Sequence, residues 1–174
     1  MKKLLIALLF TVAGQTLLAQ KFAYVDTDYI LQNIPEFKKA QEELDKTSAA
    51  WQKEVEGKYK EIEGLYKAFQ ADQVLLTDDM RKNRENEIIE KERLAKEFQK
   101  SKFGLEGELF HKRQELIKPI QDKVFAAIKE VAASSQLDMI LDKAGDQATI
   151  LFADPKLDKS DLVLRKMGVK KGVE

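Results

Sequence analysis

The side chains that could carry out chemistry in this sequence are few and widely spaced. His111 is the single histidine, it lies in a stretch rich in Glu, Lys and Arg, and the chain has no cysteine. A zinc site needs several such ligands, and an imidazole that acts as a base needs a group to orient it. We therefore interpret His111 as a solvated helical residue and predict no catalytic residue, metal site or cofactor.

A group of aspartates accompanies the predicted strands and could suggest a calcium site. The group consists of Asp26, Asp28, Asp138, Asp142, Asp146 and Asp154. Their spacing differs from that of a calcium-binding loop. Aspartate is also a common cap and turn residue, because its carboxylate accepts hydrogen bonds from nearby backbone N–H groups. The spacing favours caps and turns. No nucleophile elbow or phosphate-binding glycine loop is present, so the sequence argues against an enzyme.

The N-terminus has the layout of a secretory signal peptide. Lys2 and Lys3 precede an uncharged apolar run over residues 4–14, and the small residue Ala19 precedes Gln20. This order of basic, apolar and small residues is typical of a cleaved export signal, and the run is short for a membrane span. We predict that residues 1–19 are removed on export.

Composition bounds the classes of partner. Without Lys2 and Lys3, the 30 basic residues fall to 28, against 30 acidic residues. A chain with no positive excess is a poor ligand for nucleic acid, whose affinity for proteins depends on neutralised phosphates. An exported protein without cysteine also forgoes disulfides, so packing or oligomerisation must stabilise it.

Apolar spacing predicts a long helical hairpin. Residues 36–70 and 78–134 have apolar side chains every three or four positions, as amphipathic helices do. A loop at residues 71–77 joins them, and Thr77, which is followed by two acidic residues, is predicted to cap the second helix. Pro119 should kink this helix. Two helices joined by a short loop are most simply antiparallel neighbours. Residues 38–118 carry 18 basic and 18 acidic side chains, so the hairpin is dense in charge but neutral.

The two ends of the chain predict a small β-containing body. Residues 22–26 resemble a strand, and a brief helix capped near Thr27 runs to Ile34, where Pro35 forces a break. Two further strands are predicted at residues 137–142 and 147–152, with a tight turn at 143–146 between them. A short helix follows at residues 162–167 and stops at Gly168.

The predicted fold is therefore α+β and mostly helical. Residues 37–116 form an arm with its tip near 71–77, and residues 20–36 and 117–174 form the body. Three short strands bury little apolar surface, so several copies are expected to associate through the body. The residues predicted to build this oligomerisation body are Tyr24, Val25, Ile30, Met139, Ile140, Leu141, Ile150 and Phe152.

Val74, Leu75 and Leu76 place three apolar side chains at the predicted tip. They either staple the turn or bind a partner, since exposed apolar surface on a soluble protein often marks a partner site. Gly57, Gly64, Gly104 and Gly107 are predicted inside the helices, where each costs about 1 kcal/mol relative to alanine. They either permit close helix packing or soften the arm.

Three segments resemble the Skp (OmpH) family of periplasmic chaperones. They are residues 24–31 (YVDTDYIL), 137–142 (LDMILD) and 151–155 (LFADP), and they flank the charged hairpin in the order that the family shows. The resemblance covers essentially the whole chain after residue 19. It is fairly specific because it includes the strand motifs, whereas any coiled coil would resemble the helices.

The resemblance implies a jellyfish-shaped homotrimer in the periplasm, whose three arms hold an unfolded outer-membrane protein without using a nucleotide. The side chains that would contact the client are Val74, Leu75, Leu76, Phe69, Ile88 and Phe98. Better-known family members have strongly basic arms, whereas this arm is neutral, so membrane or lipid contact stays open. The rival interpretation is a structural coiled-coil adaptor or spacer of the cell envelope that binds a folded partner.

Overall fold

The computed structural model describes residues 20–144 and 150–169, which fall into two compact units. We use body for the unit that contains residues 20–30 and 125–169, and arm for residues 31–124. The sequence placed the two boundaries at residues 36/37 and 116/117. The predicted signal peptide, residues 1–19, lies outside the described residues.

The elements follow one another in the order strand, four helices, strand, helix. They are β1 (Phe22–Val25), α1 (Thr27–Gln32), α2 (Pro35–Asp72), α3 (Asp78–Phe103), α4 (Glu108–Ser135), β2 (Met139–Asp142), a 3₁₀ turn (Pro155–Leu157) and α5 (Ser160–Lys166). Pro35 is the first residue of α2, where its missing N–H and fixed φ suit a helix start. It begins a helix here rather than bending one.

In the body, β1 and β2 pair in parallel, with Phe22 opposite Met139 and Val25 opposite Asp142. The ladder continues at both ends through Asp138 N–H to Lys21 C=O and Lys143 N–H to Val25 C=O. The largest fully buried side chains of the body include Ile30, Val131, Val163 and Leu164. An ion pair of 3.2 Å between Lys166 and Glu130 ties α5 to α4.

Four of the aspartates accept backbone hydrogen bonds, which supports their interpretation as caps and turns. Asp26 Oδ1 caps α1 by accepting from Tyr29 N–H at 2.9 Å, a role that the sequence had assigned to Thr27. Asp142 accepts from Thr27 N–H at 3.1 Å, and Asp154 accepts from Lys156 N–H at 2.9 Å. Asp138 accepts from Lys21 N–H at 2.8 Å. Asp146 lies outside the described residues.

The third predicted strand needs a correction. Residues 150–152 have no regular secondary structure, and Leu151 and Phe152 are 99% and 87% exposed. Residues 147–149 and part of the predicted turn lie outside the described residues. An alternating segment becomes a strand only where another strand supplies its hydrogen bonds. The partner of Ile140 and Leu141 among the described residues is β1.

In the arm, α2 and α3 are antiparallel neighbours, as predicted. Ile62 on α2 packs with Ile88 and Ala95 on α3, and these three residues are buried. Lys91 on α3 pairs with Glu61 on α2, while Lys112 on α4 pairs with Glu43 nearer the start of α2. The residue nearer the start of α2 therefore pairs with the residue that comes later in the chain, as an antiparallel arrangement requires.

The second long helix is broken, contrary to the prediction of one helix over residues 78–134. α3 ends at Phe103 and α4 begins at Glu108. Gly104 N–H donates to Lys100 C=O at 2.8 Å, and Gly107 N–H donates to Gly104 C=O at 2.9 Å. Leu105, which lies within this break, is 97% exposed. α4 then continues through Pro119, and the kink there stays a prediction.

The structure separates the four arm glycines into two pairs, and we expect alanine to affect the pairs in opposite directions. A Cβ at Gly57 or Gly64 would meet nothing within 4 Å, so each replacement should stabilise α2 by about 1 kcal/mol. A Cβ at Gly104 would lie 2.5 Å from Lys100 O, and one at Gly107 would lie 2.9 Å from Lys102 O. Urea unfolding of the two double variants measures both effects. Equal shifts for the two pairs would contradict this assignment.

Candidate functional site

The first candidate for chemistry that the sequence raised is its single histidine. His111 is exposed on α4, and its ring lies 5.7 Å from that of Phe110. No group of three or more His, Cys, Asp or Glu within residues 20–144 and 150–169 is arranged to hold a metal ion. No helix in the same ranges combines the length and the apolar character that a membrane span requires. The features that suggest recognition are instead exposed apolar surfaces.

The first such surface lies at the arm tip, where the chain turns from α2 into α3. Leu75 N–H donates to Asp72 C=O at 2.8 Å and tightens the turn. On the other side, Thr77 caps α3, as predicted, by accepting from Met80 N–H at 3.3 Å. Between these anchors Val74 and Leu75 are 89% and 81% exposed. A turn held at both ends therefore presents two aliphatic side chains to solvent.

A groove of about 460 Å³ lies next to this turn, between α2 and α3. Its apolar lining combines residues of both helices with the last residue of the turn: Leu65, Phe69, Leu76, Met80 and Ile88. Asp72 stands at the rim, as do Arg84 and Glu87, which form an ion pair of 2.9 Å. We call Val74, Leu75 and this groove the tip surface.

The tip surface includes five of the six side chains predicted to contact a partner. Val74 and Leu75 are exposed to solvent, while the other three line the groove: Phe69, Leu76 and Ile88. Ile88 needs a correction, since it is 8% exposed and belongs to the hairpin core with Ile62. Phe98 lies apart from the tip and is half-buried, with Lys58 Nζ 4.8 Å from its ring centre.

Three apolar residues on α3 are exposed although the sequence did not single them out. They are Met80, Ile89 and Leu94. Ile89 is 62% exposed beside its buried neighbour Ile88. The apolar pattern of α3 is sparse at this point, so the adjacent isoleucines do not reveal which of them faces α2. The facing direction becomes clear only in the folded hairpin, where Ile88 packs against Ile62 of α2.

The second apolar surface lies on the body. Of the eight residues predicted to build the oligomerisation body, Tyr24, Val25 and Ile30 are buried within this single chain. Ile140 and Ile150 are half-buried. The three exposed members are Met139 and Leu141, which lie on β2, and Phe152. We call Phe22, Met139, Leu141, Leu151 and Phe152 the body surface.

Comparison with known proteins assigns the chain to a family. The family model described as outer membrane protein (OmpH-like) matches residues 21–167, which include both the body strands and the arm. The protein belongs to the OmpH-like family. A comparison with curated protein sequences found no match. The family match confirms the resemblance that the strand motifs suggested.

The fold of this OmpH-like protein also matches a solved structure. It is the crystal structure of an OmpH-like protein from Caulobacter crescentus CB15, named as a candidate outer membrane chaperone. The TM-score is 0.68 over 89% of this chain and 88% of the other, at 13% sequence identity. At this identity the likeness concerns the fold, so the predominantly helical α+β architecture is confirmed.

Two ion pairs in the OmpH-like arm join α2 to the helices beside it, one to α3 and one to α4. Lys91 Nζ lies 2.7 Å from Glu61 Oε1. The hydrogen bond from Lys91 and its positive charge lower the pKa of Glu61, and the same bond and charge raise the pKa of Lys91. The hydrogen bond to Glu43 likewise raises the pKa of Lys112. Both pairs are solvent-exposed, so salt screens them.

We expect Glu61→Gln to lower the Tm slightly at neutral pH and low salt. Because the pKa of Glu61 is lowered from 4.5, its contribution is present above that value and disappears as the pH falls through the lowered pKa. The contribution of Lys91 disappears as the pH rises through its raised pKa. Thermal unfolding of both proteins across pH measures the difference, which should vanish in acid. Glu63→Gln is the control, because its partner Lys67 lies on the same helix.

Proposed function

We propose that this OmpH-like protein is a periplasmic chaperone that holds unfolded outer-membrane proteins without ATP and prevents their aggregation before insertion. The observation that carries the proposal is the tip surface, where Val74 and Leu75 are 89% and 81% exposed beside an apolar groove. Family membership and the candidate chaperone of the same fold support it. The export signal predicted at residues 1–19 supports the location.

The chemistry of the client suits such a surface. An unfolded barrel protein alternates apolar and polar residues and has no single recognition sequence. Two aliphatic side chains and a shallow apolar groove can bind many such segments weakly. The paired charges along the arm, 18 of each sign over residues 38–118, give no net attraction to acidic or basic clients. Binding therefore depends on apolar contact and enclosure.

Weak contacts become useful when several arms act together. We propose that the protein is a homotrimer and that the body surface is the interface between copies. Its support is the exposure of Leu151 and Phe152, which a neighbouring copy would cover. Three arms then bind one chain with an effective concentration that multiplies the individual affinities.

An aggregation assay with tip variants tests the proposal. An outer-membrane barrel unfolded in urea is diluted into buffer with the mature protein at threefold protomer excess, and light scattering follows aggregation. We expect the wild-type protein to suppress scattering and Val74→Ser/Leu75→Ser to suppress it clearly less. The matched control is Ala71→Ser/Gln73→Ser, which changes an exposed position at the end of α2 and one in the turn without removing large apolar side chains.

Two outcomes would contradict the proposal in different ways. Aggregation that proceeds unaffected by the wild-type protein would remove the holdase function and favour an adaptor that binds a folded partner. Suppression that is equal in the tip variant and the wild type would keep the holdase but remove the tip surface as its contact.

A further inference from the structure

We propose that residues 104–107 form a joint in the arm and that Lys102 is the clasp that keeps the joint closed. This inference concerns the internal mechanics of the arm, and it holds whichever partner the arm binds. It starts from the break between α3 and α4, beside which α2 runs without interruption from Pro35 to Asp72.

The backbone at the break is weakly connected. In place of a continuous α-helical ladder, Gly107 N–H donates to Gly104 C=O at 2.9 Å, and the α-helical pattern resumes with the bond from His111 N–H to Gly107 C=O at 3.2 Å. Leu105 is the one large apolar side chain of the segment, and its exposure means that it adds no packing. Side chains on either side must therefore determine how firmly the two helices are joined.

Lys102 provides this connection, because its ammonium group contacts three helices. Its Nζ lies 2.5 Å from Oε1 of Glu108, the first residue of α4. The same Nζ lies 4.9 Å from the ring centre of Trp51 on α2 and 5.4 Å from that of Phe98 on α3. The Lys102 side chain is only 16% exposed. Partial burial strengthens both the ion pair and the cation–π contacts relative to surface examples.

The helix that runs beside the joint has features that permit it to bend. Trp51 and Phe103 meet edge to face with ring centres 6.4 Å apart, which places this part of α2 beside the end of α3. One turn earlier, Thr47 Oγ1 donates to Glu43 C=O at 2.8 Å. Such a bond from a threonine hydroxyl to the carbonyl four residues back slightly destabilises a helix and often bends it. The continuous helix therefore need not prevent motion at the joint.

If the contact between Lys102 and Glu108 is lost, α3 should be able to move relative to α4. The Lys102–Glu108 attraction weakens as ionic strength rises. Methionine at residue 102 would keep an unbranched apolar stem over the two rings but remove the charge. Arginine would keep the charge and the contact with the rings. These two replacements separate the role of the charge from that of the stem.

Distance measurements between spin labels test the clasp. The chain has no cysteine, so labels can be placed at the exposed positions Asn86→Cys on α3 and Gln114→Cys on α4. Labelled full-length protein is mixed with an excess of unlabelled protein, so that distances within one chain dominate. We expect Lys102→Met to broaden the distance distribution about twofold and Lys102→Arg to leave it unchanged, because the closed state loses its preference only when the charge is removed.

The matched control is Lys118→Met, which removes a lysine that pairs with Asp122 within α4, at 3.3 Å. It should leave the distribution unchanged. Raising the salt concentration should broaden the distance distribution of the wild-type protein towards that of Lys102→Met. This measurement does not depend on whether a variant at Lys102 folds. A wild-type distribution that is insensitive to salt would overturn the proposal, as would equal widths for Lys102→Met and Lys118→Met.

Discussion

Replacing Leu151 and Phe152 by serine is expected to convert the proposed trimer into monomers and to abolish most of the proposed protection of unfolded clients. The two side chains are 99% and 87% exposed in the single chain. Burying a leucine and a phenylalanine in an interface contributes about 1.5–3 kcal/mol each, and three copies would bury three such pairs. Light scattering of the purified variant measures the mass.

The loss of protection follows from the loss of multivalency. A monomer presents one arm, and linked weak contacts lose their effective concentration when they are separated, which lowers avidity by about 100-fold or more. The control is Leu105→Ser, which removes an equally exposed leucine from the arm, far from the body in sequence. It should leave the mass unchanged. A Leu151→Ser/Phe152→Ser variant with the wild-type mass would exclude these side chains from the interface.

The adjacent residues Ile88 and Ile89 should respond very differently to alanine. Ile88 is 8% exposed and packs with Ile62 and Ala95, so Ile88→Ala leaves a cavity and should lower the free energy of unfolding by about 2–4 kcal/mol. Ile89 is 62% exposed, so Ile89→Ala should change the free energy of unfolding by less than about 0.5 kcal/mol. Urea unfolding followed by circular dichroism compares the two variants.

The same pair also bears on client contact. If the exposed face of α3 binds unfolded chains, Ile89→Ala should weaken protection against aggregation although it leaves stability intact. Ile88→Ala should weaken protection only under conditions in which the hairpin itself begins to unfold. Equal destabilisation by the two replacements would show that the hairpin packs in a different register from the one described.

A feature of the fold could be predicted from the sequence where adjacent residues alone determine it, and could not where it depends on contacts with distant residues. Thr77 followed by two acidic residues signals a helix start locally, and the cap was found as predicted. The break at Gly104 could not be read in this way. Gly57 and Gly64 also lie in a helical pattern and leave α2 continuous, so the glycine spacing alone does not distinguish a tolerated residue from a break.

The candidate site was predictable where exposure follows from topology. Val74 and Leu75 lie in a turn between two long helices, so any hairpin displays them. Ile88 was assigned to the surface because a sparse apolar stripe leaves its facing direction open, and Lys102 was overlooked because lysine is ordinarily a solvated residue. Its role depends on Trp51 and Glu108, which come together only after the hairpin folds.

The parallel pairing of β1 and β2 has a consequence for the order of folding. Lys21 and Asp138, which are hydrogen-bonded beside this ladder, lie 117 positions apart in the chain. Closing a flexible loop of that length costs entropy and slows folding. The antiparallel arm shortens the effective loop, because contacts such as Glu43–Lys112 bring its two ends together first. β1 is apolar and cannot pair until β2, near the end of the chain, has been synthesised. Until then the unpaired strand is a segment of this protein that is prone to aggregation.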